Sequence, residues 1–504
     1  MARAGPTATV RPAAVRVARN TALRATAEVV GKIASLLVFA GIARSLGRET
    51  LGDYVFSLSL VQIIYAVAGF GLDRMAMRDI ARDRDALRGL FYHQMVFKLA
   101  LGALGLVVAD LGVLALGYPR QVVVVVAVLG AAQLLALLSC TPLAVFQAHE
   151  QMEYYFAAAV PNKVLASLFG LVALVAHTGI VGVAVANLIA SVLALGLAIW
   201  LVYRHFARPH PRVRAGDWPR LVLVAGPFAL QEILGQIVFR IDVVLLSLFT
   251  SNSVVGAYGA AARLLEATLF LAWSSGASVL PMFSYLGRDS LPSLDRAYRA
   301  SLTFVGGMVV PVAVTLFVCA GPIVSLLYGR RYDDAVPVLR WLSFAVVAYS
   351  VGYIAGTLVL VRRPGRLTVM VTAVAAAANV LLNLVLIPTL AAVGAAVATL
   401  ATEVLLTTML MVLTRRVVPA PGWGPSAAAV ALSGALMGAA MIPFAGRLAV
   451  AVPVGVVTYV VALAVVGSRL AGEDAAFVRA HLARSRPPAP TQGAAIGSIG
   501  DSLP

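Results

Sequence analysis

Apolar stretches of about twenty residues recur along this chain from Thr21 to Val466, each long enough to cross a hydrocarbon core of about 30 Å as a helix. The chain is 61% hydrophobic and only 12% charged, against roughly 25% charged in a soluble domain. Lipid is therefore its solvent. No polar stretch between the apolar ones exceeds about twenty residues, so the reading is an all-α polytopic membrane protein of about 14 transmembrane helices with short tails.

The net charge is +17, which in a soluble chain would put nucleic-acid binding first. Position decides otherwise. With the N-terminus in the cytoplasm, the arginines of the inner segments outnumber those of the outer loops by twenty-six to six. Clusters such as Arg74, Arg78, Arg82, Arg84 and Arg88 lie inside, while Arg44, Arg48, Arg120, Arg330, Arg331 and Arg447 lie outside. The positive-inside rule then places both termini in the cytoplasm, with membrane lipids and no nucleic acid as partners.

Other chemistries lack their residues. Cys140 and Cys319 both fall inside apolar spans, where they read as small packing residues rather than a disulfide or zinc ligands. The six histidines have no metal-ligand spacing. Gly31-Lys32 has Thr26 where a phosphate-binding loop needs its first glycine. No catalytic residues, metal or cofactor are expected, and the chain is not expected to be an enzyme. The N-terminal tail has no short apolar core with a cleavage site, so the first span is expected to serve as its own insertion signal.

The chain repeats itself. Glu232 lies 204 residues after Glu28, and Gly235, Ile237, Gly256 and Tyr258 stand at the same offset from Gly31, Ile33, Gly52 and Tyr54. The Gly-Val-Ala-Val-Ala run from Gly182 answers the Gly-Ala-Ala-Val-Ala run from Gly394 at an offset of 212. Six spans separate each pair, so both copies enter the membrane in the same direction. The expected organisation is a basic tail over 1–19, a six-helix bundle over 20–203, a cytoplasmic linker over 204–220, and a second, parallel six-helix bundle over 221–416. Two additional helices over 417–467 and a cytoplasmic tail over 468–504, disordered at its end, complete it. Parallel halves of this kind hold their substrate between them near mid-membrane.

Ionised side chains inside a bilayer cost roughly 2.5–3.5 kcal/mol each on insertion scales, so they face protein or water. On the first span Arg24, Glu28 and Lys32 are spaced by four and stack on one helix face. Glu232, Gln236 and Arg240 repeat the device on the seventh. The two ladders are expected to face each other across a central cavity. Asp242 points away from Arg240 and needs another partner, for which the eighth span is the natural source. Arg263 and Glu266, three apart on that span, fit an intrahelical ion pair as well as a site. The candidate substrate-binding residues are Arg24, Lys32, Arg240 and Arg263; the candidate coupling or structural acids are Glu28, Glu232, Asp242 and Glu266. Guanidinium groups grip phosphate oxygens in pairs and stay charged at ordinary pH, so such a cavity suits a lipid diphosphate. The acids could instead take up protons or sodium to couple transport.

The run GIARSLGRETLGDYVFSLSLVQIIYAVAGFGLDRMAMRDIAR resembles the opening of the polysaccharide-unit flippases of the multidrug/oligosaccharidyl-lipid/polysaccharide (MOP) superfamily. FRIDVVLLSLFTSNSVVGAYGAAARLLE and LLYGRRYDDAVPVLRWLSFA resemble the corresponding second-half segments. The resemblance, over about Asn20 to Arg416, implies two six-helix bundles around a V-shaped cavity, as in the MATE-like fold. It also implies export of an undecaprenyl-diphosphate-linked oligosaccharide alongside a polysaccharide polymerase and glycosyltransferases. The extra pair of helices is similar to that of the lipid II flippases, so peptidoglycan precursor is the alternative substrate. A cation-coupled drug exporter on the same fold would call for an acidic, aromatic-lined pocket, and the excess of cavity arginine speaks against it.

Overall fold

The computed structural model describes residues 30–470 except 85–86, 150, 207–215, 217, 290, 363–364 and 419–423. Arg24, Glu28, both tails and most of the 204–220 linker therefore lie outside the described residues. Among those described, helix follows helix without a strand. The first half comprises α1 (30–45), α2 (Arg48–Gly69), α3 (Leu72–Arg82), α4 (Leu87–Ala115), α5 (Arg120–Ala148), α6 (Met152–Val175) and α7 (Gly179–His205). The second comprises α8 (Trp218–Phe249), α9 (Asn252–Thr268), α10 (Phe270–Asp289), α11 (Leu291–Val318), α12 (Ala320–Tyr328), α13 (Ala335–Arg362) and α14 (Arg366–Arg415). α15 (Gly424–Met441) and α16 (Leu448–Leu470) follow.

Eleven helical stretches among the described residues are long and apolar enough to cross a membrane. One of them, α14, runs for 50 residues and is folded back on itself at Ala391 (φ 49°, ψ −128°), just after Pro388. Asn379 donates from one arm to the Thr402 hydroxyl of the other at 3.2 Å. Two details differ from the sequence reading. The loop after α2 carries α3, which buries Leu72, Ala76 and Ile80 at four-residue spacing. Too short and too charged to span, it packs by that one apolar face. The ninth span also stops at Val318, and α12 starts anew after Cys319.

Within the first half α2 packs on α4 and α5, and α7 on α5 and α6. Within the second α13 packs on α9, α10, α11 and α14, and α8 on α14. α15 and α16 pack on each other and against α11, outside both bundles. The halves meet where α2 packs on α8 and α9, with the closest approach at Gly52 and Gly256, the two glycines that the repeat pairs. A Cβ on Gly52 would overlap the carbonyl oxygen of Asn252, and one on Gly256 the carbonyl oxygen of Arg48, so each helix lies backbone to backbone on the other. Arg48 and Asn252 are themselves 204 residues apart, so the contact is symmetric under the repeat. The same pseudo-symmetry relates the Tyr54 hydroxyl with Asn187 (3.5 Å) to the Tyr258 hydroxyl with Thr399 (3.3 Å).

Polar contacts tie the halves together at the end of the molecule that holds this crossing. Asn252 donates to Asp53 at 2.6 Å, and Arg48 pairs with Asp334 at 2.7 Å. Arg44 Nε donates to the Leu327 carbonyl at 2.9 Å. Asp334 is 74% exposed, so its ion pair contributes at most about 1 kcal/mol and the glycine crossing carries the joint.

Candidate functional site

Beyond the crossing, a cleft of about 490 Å³, open solvent included, is lined by α8, α9, α13 and α14. Arg240, Glu266, Asp242, Tyr349, Thr399 and Glu403 contribute its polar groups. A second cavity of about 290 Å³ adjoins it through Arg240 and Glu266, and adds Arg263 and Phe39. The ion cluster is the partition between the two.

Glu266 is its hub. Arg240 Nη1 donates to one of its carboxylate oxygens, and Arg263 Nη1 donates to the other at 2.8 Å. Arg263 also donates to the hydroxyl of Ser35 and lies 4.3 Å from the ring centre of Phe39. Both partners stand on α1, so the cluster spans the two halves. Lys32 of α1 acts on Glu266 through space and holds its ammonium 4.9 Å from the ring centre of Trp273 on α10. Two guanidinium groups thus share one buried carboxylate, with the Lys32 ammonium close enough to act on it. Arg240 also keeps a buried Nε–H without an acceptor. An unmet charged donor of this kind is costly unless a ligand meets it.

The sequence candidates divide accordingly. Lys32, Arg240, Arg263 and Glu266 come together. The partner of Arg240 is Glu266 and not Glu232, the acid two turns before it on the same helix. The charge of Glu232 instead reaches Cys140 of α5, which also feels Asp73 and Lys98. The four-residue spacing of the ladder is a property of one helix, whereas the ion pair depends on how α8 is turned towards α9. Asp242 is 5% exposed and fully engaged. It accepts from the Tyr258 hydroxyl on α9 and from the Val243 N–H at 2.8 Å, which closes a structural network. Glu403 is 6% exposed, lines the larger cavity and makes no hydrogen bond or ion pair to a described residue.

The pair of Lys98 with Asp73 was not legible in advance. Lys98 is fully buried, bonded to Asp73 of α3 and, at 3.0 Å, to the Thr141 hydroxyl. Asp73 sits in a segment that reads as a cytoplasmic loop, so nothing linked the two. Asp73→Ala is expected to lower stability by about 3–5 kcal/mol, since it leaves a buried ammonium unpaired, whereas Lys98→Met should cost far less. Thermal melts of the purified protein decide it, and equal losses in the two variants would contradict a buried pair.

A chain that is helical through its described residues, with two parallel halves, an appended helix pair and a buried ion cluster where the halves meet, has the architecture of a membrane transporter. The chain belongs to the flippases of the MOP superfamily. The pattern of the polysaccharide biosynthesis protein family matches residues 17–286, more than half of the chain. That of the lipid II flippase MurJ family matches residues 180–464, also more than half. Among curated proteins, the probable low-salt glycan biosynthesis flippase Agl15 of Haloferax volcanii is 28% identical over 160 residues. That match spans 31% of this chain and 34% of the relative. Among solved structures, an inward closed conformation of lipid II flippase MurJ superposes with a TM-score of 0.70 at 13% identity, covering 88% of this chain and 98% of that one. An inward-facing multidrug resistance MATE family transporter of the MOP superfamily gives 0.65 at 16% identity, covering 77% and 94%.

Proposed function

We propose that the chain flips an undecaprenyl-diphosphate-linked oligosaccharide from the inner to the outer leaflet of a bacterial cell membrane, for surface polysaccharide biosynthesis. The observation that carries this reading is the sharing of Glu266 by Arg240 and Arg263, with an Nε–H of Arg240 left over. A diphosphate offers the oxygens that a single carboxylate lacks, and two guanidinium forks can exchange Glu266 for it without leaving the cavity. Because α1 and α9 both reach the cluster, exchange at Glu266 loosens one half from the other. That supports alternating access by rocking of the halves. Both termini would lie in the cytoplasm, and a polysaccharide polymerase and glycosyltransferases would work beside the flippase. Coupling to a proton or sodium gradient needs an acid open to the cavity, and Glu403 supplies one.

The match to the lipid II flippase family, which includes the appended helices, favours a second reading in which the cargo is peptidoglycan precursor. Both cargoes share the diphosphate. Export of surface glycan in cells whose own flippase is deleted separates them, since a lipid II flippase restores wall growth and not glycan. Arg240→Ala is expected to lower export at least about tenfold at normal protein level, from the loss of a charged contact worth about 1.5–3 kcal/mol. Arg240→Lys should recover only part of it, because an ammonium cannot grip two oxygens at once. Normal export in both Arg240→Ala and Arg263→Ala would end the proposal.

A further inference from the structure

We infer a sugar-binding aromatic cluster of Phe239 and Tyr349, which line the larger cavity, with Trp273 and Tyr353 packed beside them, on which a pyranose ring of the cargo stacks while the cations hold its diphosphate. This inference rests on the flippase reading above and adds to it the part of the cargo that the arginines cannot recognise.

The four rings come from three helices, α8, α10 and α13. The Trp273 indole N–H donates to the Tyr349 hydroxyl at 2.7 Å. Tyr349 and Tyr353 lie nearly parallel, 6.0 Å apart and 19° from coplanar, and Phe239 meets Tyr349 edge-on at 6.0 Å. Gly276 makes the room, since a Cβ there would run into the ring of Tyr353. Phe239 and Tyr349 line the same cavity as Arg240, Thr399 and Glu403. Trp273 faces the space between the halves, because the ammonium held over its ring belongs to Lys32 on the opposite half.

Tyr353 remains 37% exposed. The indole N–H is spent on the Tyr349 hydroxyl, which keeps its own O–H to donate, so Trp273 offers a ring face and Tyr349 a ring and one hydroxyl donor. An acyl chain would suit such faces but not the adjacent Lys32, Arg240 and Glu403, whose burial beside hydrocarbon is costly. A bare anion would suit the cations but is repelled by the negative face of an aromatic ring. A pyranose satisfies both demands, with a flat C–H face for the rings and hydroxyls at its rim for Thr399 and Glu403. Sites that are mostly apolar, with a few placed polar groups, are the usual form for a small ligand. Lys32 links the two subsites. Drawn to the arriving diphosphate, its ammonium leaves the indole face and the sugar takes its place.

The test uses the full chain in lipid nanodiscs and two probes, undecaprenyl diphosphate and undecaprenyl diphosphate bearing N-acetylglucosamine. The wild-type protein is expected to bind the glycosylated probe about tenfold more tightly. Trp273→Ala and Tyr349→Ala should each bring that ratio close to one, and Trp273→Phe, which keeps a ring and most of the packing, should preserve about a third of it. A wild-type ratio of one, which no folding defect can mimic, overturns the proposal, and so does an unaltered ratio in both alanine variants. Failure of the diphosphate reading shows separately, as unchanged binding of the bare lipid by Arg240→Ala.

Discussion

Replacing Glu266 with alanine is expected to destabilise the protein by about 3–5 kcal/mol and to abolish export, the largest effect of any single change in the cavity. The side chains of Arg240 and Arg263 are only 15% and 16% exposed. Without the carboxylate their charges repel each other in a medium that screens little, and no other described acid is bonded to either. Arg263 would also lose one of the two anchors that hold it against Ser35 on α1, so the halves should separate more readily. Glu266→Gln keeps the shape and one acceptor oxygen and should fall between. The double variant Glu266→Ala, Arg240→Ala should be more stable than Glu266→Ala alone, because it removes one of the stranded charges, and a double-mutant cycle then isolates the pair. The measurement is the melting temperature of the purified protein with surface glycan scored in parallel. A Glu266→Ala variant that melts like wild type would show that the cluster is not what holds these helices in register.

Gly52→Ala and Gly256→Ala should each cost about 1–3 kcal/mol, and Gly52→Leu should prevent assembly of the two halves. A methyl at either position meets a backbone carbonyl of the facing helix, which cannot rotate away as a side chain would. Small residues are what lets membrane helices approach this closely, since lipid tails supply no hydrophobic drive to press them together. Separation of α2 from α9 would also stretch the bond from Asn252 to Asp53. Gly112→Ala is the control, because a Cβ there meets nothing within 4 Å. If the Gly52 and Gly256 variants melt and export like this control, the crossing is not the joint between the bundles.

Much of this was legible in the residues. The repeat offset of 204 pairs the two glycines that touch, and the offset of 212 pairs Asn187 with Thr399, the partners of two equivalent tyrosines. Arg263 and Glu266 stand three apart and do form the intrahelical pair that the spacing suggests. Asp242 does find its partner on the following helix, in Tyr258. The stacked ladders were a poorer guide. They set Arg240 beside Glu232 on one helix, whereas its ion pair is with Glu266 on the next.

The sequence by itself determined the solvent, the helical class, the doubling of the chain and the family, because these depend on the length and polarity of stretches and on residues compared with their own copies. Only the tertiary structure decided that Glu266 serves two arginines, that Ser35 and Phe39 receive one of them, that Asp73 reaches Lys98, and that Phe239, Trp273 and Tyr353 gather round Tyr349. The reason is physical. A soluble helix announces its inward face by where its apolar residues fall, but a helix in lipid is apolar all round. Its rotation, and hence which of its few polar groups meet, is fixed only by packing against its neighbours.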